Sequence, residues 1–137
     1  MKLNTYLNFG GGNCEEAFKF YEKHLGAKTA SIFRWSEMPN AAKHTPPGME
    51  NKVLHGRIEI GGTQLMGADV PGAEPVRSAY LTLTVDNSQV AERIFGALSE
   101  GGQVTMKMEA TFFAHRFGQV RDKFGILWMI IHEKPMG

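Results

Sequence analysis

The chain has 137 residues, 42% of them hydrophobic and 21% charged, which suits a folded domain and excludes global disorder. Its 15 basic and 14 acidic side chains leave a formal charge of +1, so electrostatics gives no reason to expect nucleic acid or an anionic membrane as partner. The longest apolar run, Ile126 to Ile131, is too short to span a bilayer, and Met1 to Phe9 does not read as a signal peptide. Cys14 has no second cysteine to pair with, and the cytoplasm is the expected compartment.

Thr5–Phe9 alternates polar and apolar residues and predicts a half-buried strand. Asn13 then offers a helix cap, and Glu16 three residues later completes a capping box. From Cys14 to Leu25 the residues Ala17, Phe18, Tyr21 and Leu25 fall at helical spacing, and Gly26 supplies the stop. A strand is expected over Lys28–Trp35, followed by a loop containing Pro39, Pro46, Pro47 and Gly48. Lys52–Ile60 alternates again, Gly61-Gly62 signals a tight turn, and Thr63–Asp69 returns as the hairpin partner.

After the linker Pro71–Pro75 the same order recurs. Ala79–Val85 predicts a strand, Asp86 to Ser88 a cap for a helix running through Glu100, and Gly101-Gly102 its end. Gln103–Thr111 is the next strand; Arg116–Arg121 and Ile126–His132 pair around the turn Asp122-Lys123-Phe124-Gly125. Sliding the sequence by 74 positions matches Tyr6-Leu7 to Tyr80-Leu81 and Asn13 to Asn87, and an offset of 63 matches Met66 to Met129. The expected architecture is α+β: one domain over 1–137 built of two tandem βαβββ modules, about 1–72 and about 77–134. Each half alone is small, and packing the two together is the physically reasonable solution. The main rival, a dimeric ferredoxin-like barrel, does not explain the two closing hairpins.

The stretch Tyr6-Leu7-Asn8-Phe9, continuing through Glu16-Ala17-Phe18-Lys19-Phe20-Tyr21 to Leu25-Gly26-Ala27, resembles the opening of PhnB-like proteins. These are a branch of the glyoxalase/bleomycin resistance/extradiol dioxygenase (vicinal oxygen chelate) superfamily. His55 to Gly62, Leu65-Met66 followed by Asp69, and Phe117 to Trp128 fit the same pattern. The resemblance implies curved mixed sheets around a cleft, commonly in a homodimer. Metal-dependent members carry His, Glu or Gln ligands on strands of both modules, and these positions fall here near Tyr6, Met66 (or Gly67), Tyr80 and Met129.

None of those side chains is a normal ligand for a divalent metal. Borderline and hard cations want imidazole, carboxylate or water, thioethers suit soft ions, and a phenol must first ionise. The expectation is therefore a small-molecule-binding protein with no metal and no other cofactor. The alternatives are a metal-dependent lyase, isomerase or dioxygenase using displaced ligands such as His55, His115 and Asp69, and a non-catalytic dimerisation module. PhnB-like sequences are also grouped by name with 3-demethylubiquinone 3-methyltransferases. The loop Gly10-Gly11-Gly12-Asn13 lacks the dinucleotide fingerprint that would lend such a name a cofactor site.

Tyr6 and Asn8 share one strand face, as do Tyr80, Thr82 and Thr84, and the resemblance turns those faces, with Met66 and Met129, toward the ligand. Phenols, an amide, hydroxyls and thioethers suit an organic ligand with several oxygen atoms. The competing reading has Tyr6 and Tyr80 simply covering a sheet at an interface. His55 shares a face with Arg57 and Glu59: a His beside an Arg recognises a carboxylate or moves a proton, whereas a Glu–Arg pair on a solvated face would be inert. His115 and Arg116 follow Phe112-Phe113 in a loop that either closes over the site or packs on the sheet. His24, His44 and His132 have no ligand spacing and are expected at the surface. Cys14 lies in a first helical turn, where the dipole lowers a thiol pKa, but has no partner base. Trp128 is expected beneath a helix, and Asp122 and Gly125 in the turn.

Overall fold

A computed structural model describes residues 1–135. The chain divides into two units, Met1–Glu74 and Pro75–Gly137. In the first, β1 (Thr5–Phe9) leads to α1 (Cys14–Leu25), β2 (Lys28–Arg34), a single 3-10 turn (Trp35–Glu37), α2 (Ala41–His44), β3 (Val53–Ile60) and β4 (Thr63–Asp69). The four strands form one sheet in the order β1-β4-β3-β2, with β1 parallel to β4 and the other pairs antiparallel.

Alternation decides which side each residue takes. Leu7 and Phe9 are buried on the side of α1, whose own buried stripe is Cys14, Ala17, Phe18 and Tyr21. The cross-strand pair Gly56 and Gly67 leaves a notch in the sheet that the Phe18 ring fills. A Cβ on Gly56 would stand 2.7 Å from that ring and one on Gly67 3.3 Å from it. Gly61 and Gly62, with φ of 54° and 82°, make the two-residue turn that joins β3 to β4 and suits the right-handed twist of a hairpin.

The expected capping box does not form. Asn13, at φ −119° and ψ 25°, is not in the extended conformation of a capping residue, and its side chain makes no cap hydrogen bond. Asp69 does the work instead. Paired with Phe9 at the end of β4, its buried carboxylate accepts the Cys14 amide at 2.9 Å and the Val53 amide at 2.8 Å. The stretch expected to be plain loop contains the 3-10 turn and the one-turn α2, both too short to impose a readable period.

The second unit holds β5 (Leu81–Thr84), α3 (Ser88–Ser99), β6 (Gln103–Glu109), β7 (Ala114–Arg121) and β8 (Leu127–Glu133). Its sheet order is β5-β8-β7-β6, again with the first and last strands parallel. Here the asparagine does cap: Asn87 Oδ1 accepts the amides of Gln89 at 2.7 Å and Val90 at 3.1 Å. Phe95 of α3 lies over Gly118, where a Cβ would come within 2.8 Å of its ring. Trp128 is buried on the α3 side of β8, as expected, and its indole N–H donates to Asp122 at 2.9 Å. Asp122 also accepts the amides of Phe124 and Ile126, at 2.9 and 3.0 Å, which closes the turn into β8. Among the described residues no helix is long and apolar enough to cross a membrane.

The internal repeat is real in topology but its register differs from the sequence match. Tyr6 pairs with Met66, whereas Met129 pairs with Thr82, so Thr82 is the counterpart of Tyr6. Tyr80 lies just ahead of β5. The connection into the helix explains the slip: Gly10–Asn13 separates Phe9 from α1, but only Asp86 and Asn87 separate Val85 from α3. Matching the helices therefore displaces the strands by two residues, which preserves the face and changes the row.

Candidate functional site: the open sheet faces

The face of the first sheet opposite α1 carries, in one register row, Tyr6 of β1, Met66 of β4, Arg57 of β3 and Ser31 of β2. The register also separates Met66 from Gly67: Met66 lies on this face and Gly67 lies under Phe18. The next row holds Asn8 beside Ala68, and Phe33 beside His55.

Three of these side chains are linked. The Tyr6 hydroxyl lies 3.1 Å from His55 Nδ1, and Arg57 Nε donates to His55 Nε2 at 3.3 Å. The Tyr6 and His55 rings are 5.6 Å apart and tilted by 32°. An Arg nitrogen is always a donor, so His55 Nε2 must be the acceptor and the ring proton resides on Nδ1. His55 Nδ1–H then donates to the Tyr6 oxygen, which leaves the phenol proton free to point elsewhere. Partial burial, with the nearby Cys14 thiol adding to it, raises the Tyr6 phenol above its ordinary pKa, so the group is a neutral donor. Beside this chain a cavity of about 370 Å³ is lined by Phe33, Arg34, Glu37, Met38, Pro39, Leu54 and His55. Arg34 is fixed there by a two-pronged pair with Glu15, at 3.1 and 2.9 Å.

In the second unit the corresponding row is Thr82, Met129, Gln119 and Met106. Gln119 and Ser31 were not among the sequence candidates, although strict alternation along β7 and β2 would have placed both on the open faces. Tyr80 is half-buried and precedes this row. Phe113 packs against Phe117, ring centroids 5.3 Å apart, while Phe112 is 86% exposed. His132 departs from its expected place at the surface. It is half-buried, with Nδ1 2.8 Å from Ser88 Oγ and its ring 4.6 Å from that of His115. A β-bulge between Ala114 and Arg116 brings the two rings together, and no sequence period signals a bulge.

The donor set does not suit a divalent metal. Tyr6 and Met66 in the first unit, and Thr82 and Met129 in the second, offer neither imidazole nor carboxylate. Among the described residues, no three or more His, Cys, Asp or Glu groups gather where they could hold a metal ion. Asp69, expected as a displaced ligand, is 1% exposed and has both oxygens committed to backbone amides.

Cys14 is fully buried, and burial, followed by the charges of Asp69 and Glu15, pushes its thiol well above the ordinary value. This overrides the helix dipole that the sequence suggested would lower it. The native protein is therefore expected to react with a thiol-selective disulfide reagent at least 100-fold more slowly than the protein in denaturant; comparable rates in the two states would contradict the inert thiol.

The description "Glyoxalase/Bleomycin resistance protein/Dioxygenase superfamily" belongs to the family model that matches residues 5–130. Protein YjdN of Escherichia coli (strain K12) is 36% identical over 139 residues, covering 95% of this chain and 94% of that protein. Protein PA1353 from Pseudomonas aeruginosa has a similar structure, with a TM-score of 0.84, 36% identity and 96% of each chain covered. A PhnB protein from Bacillus cereus, described as a putative 3-demethylubiquinone-9 3-methyltransferase, superposes with a TM-score of 0.80 at 26% identity, covering 96% of this chain and 98% of its own. With paired βαβββ units and PhnB-like neighbours, the chain belongs to the glyoxalase/bleomycin resistance protein/dioxygenase superfamily.

Proposed function

We propose that the protein binds a small organic molecule on its open sheet faces and does so without a divalent metal at the family's ligand positions. The observation that carries this reading is the hydrogen-bonded chain Tyr6–His55–Arg57 beside Met66, on a face that no helix of its unit covers. Polar groups organised by one another, next to an adaptable thioether and the apolar Phe33, form the kind of surface that orients a ligand by a few directed bonds. In the second unit Thr82, Gln119 and Met129 supply the same mixture.

Methyl transfer, named for the Bacillus cereus relative, is not part of the proposal. A charged methyl donor or a phosphate would need an accommodating loop. Gly10–Asn13 is flanked by Glu15 and Glu16, and Lys52 Nζ is already donated to the Gly12 carbonyl at 2.9 Å.

Thermal unfolding of metal-stripped protein tests the metal half of the reading. A ligand at about 100 times its Kd adds about 2.7 kcal/mol, or several degrees for a chain of this size. Zn²⁺, Ni²⁺, Mn²⁺ and Fe²⁺ are each expected to leave the midpoint within about 1 °C, well below such a shift. A saturable rise of several degrees with one of them would return the metal-dependent reading to first place.

A further inference from the structure

We propose that the ligand on the first face is an organic anion, its oxyanion seated on Arg57 and a second oxygen accepting the Tyr6 proton, with His55 as the positioning residue between them. The inference rests on the binding reading above and adds the charge class of the ligand. Three observations carry it.

Arg57 spends only its Nε on His55, and neither terminal nitrogen has a partner among the described residues. Two parallel N–H groups in a fixed plane match a carboxylate or phosphate edge, and an exposed guanidinium held at its root keeps that edge aimed. Glu59, on the same face two residues along β3, would be the natural competitor. It sits in register between Lys28 and Gln64 and forms no ion pair with Arg57 among the described residues. Arg57 is therefore not neutralised within its own sheet.

The direction of the hydrogen bonds supplies the second part. Because Arg57 fixes the acceptor on His55 Nε2, the Nδ1 proton goes to the Tyr6 oxygen, and Tyr6 keeps its own proton to donate onward. The face thus presents two kinds of donor along this chain. A ligand rich in oxygen acceptors satisfies these donors, whereas an amine or a cation placed on Arg57 meets its positive charge. Met66 lies between Tyr6 and Arg57 in the row, so the two donors reach different atoms of one ligand and select for an apolar bridge between the oxygens.

Benzoate, phenyl phosphate and the neutral benzamide have one ring and differ in charge, and they serve as probes against labelled full-length protein. Shifts of the Met66 methyl and of the His55 ring nitrogens are followed by NMR. In the free protein, His55 is expected as the Nδ1–H form. At least one anion should bind about 10-fold or more tightly than benzamide, equal to about 1.4 kcal/mol. In Arg57→Gln that preference should fall to within about 2-fold, while Tyr6→Phe, whose donor serves a second oxygen that these probes lack, should keep it. The two anions distinguish a carboxylate from a phosphate ligand. If benzamide binds as well as both anions, or the preference survives Arg57→Gln, the charge assignment is wrong and the binding face stands. If no probe moves either signal, the binding reading fails along with it.

Discussion

Replacing Asp122 by alanine is expected to lower stability by about 3–5 kcal/mol and the unfolding midpoint by about 10 °C or more. The carboxylate accepts three donors, of which the Ile126 amide and the Trp128 indole N–H are buried with it. Alanine strips the acceptor from each, and a buried donor without a partner costs about 1–3 kcal/mol. Asparagine separates the contributions. Its carbonyl oxygen can replace Oδ1, which takes both amides, but its NH₂ would confront the indole N–H that now meets Oδ2. Asp122→Asn should therefore lose about half as much as Asp122→Ala. Denaturant unfolding followed by circular dichroism measures both; losses below about 1 kcal/mol for the alanine variant would mean the carboxylate does not hold this turn.

The second large effect pairs Gly96, inside α3, with Gly102, in the loop that follows it. A Cβ on Gly102 would run into the Arg121 carbonyl oxygen and stand 3.1 Å from Asp122 Cα, and both obstacles are backbone. Side chains could rotate away; a strand end cannot. Gly102→Ala is expected to cost about 3 kcal/mol. Gly96, inside α3, has nothing within 4 Å of its built Cβ, and alanine there should add about 0.5–1 kcal/mol through helix propensity. Opposite signs for the same substitution form the test. A mild or stabilising Gly102→Ala would show that β7 and the loop before β6 are free to part.

Much of the architecture was legible because burial on one side forces a period. Thr5–Phe9, Cys14–Leu25 and Thr63–Asp69 run between the residues that alternation and helical spacing indicated, and Gly26 ends α1 in the left-handed conformation. Ends set by pairing were less legible: Ala79 and Tyr80 continue the alternating pattern but lie outside β5, whose pairing with β8 begins at Leu81 and Trp128. Asn13 misled because local chemistry qualified it as a cap, whereas the carboxylate that caps α1 is 55 positions away. Sequence can mark Asp69 as a polar residue ending an apolar strand but cannot say which amides it meets. The candidate face was legible to the same extent. Alternation puts His55 and Arg57 on one face of their strand, and the family resemblance turns Tyr6 and Met66 toward the ligand; that all four share one side, with His55 linking Tyr6 to Arg57, depends on the register of three strands. Nothing in a linear period announces the His115–His132 contact, because a bulge breaks the period that would have kept those rings apart.

The parallel pair in each unit has a consequence for synthesis. The strand made first waits for the strand made last, and that last strand takes a central place in its sheet. While the first unit emerges, Thr5–Phe9 has no neighbour until Thr63–Asp69 follows, and Leu81–Thr84 waits likewise for Leu127–Glu133. A chain that stopped before Leu127–Glu133 would thus lack the middle of a sheet rather than its rim. It would leave β5 and β7 as two unpaired borders in one nascent product, the kind of species that quality-control proteases and aggregation compete for.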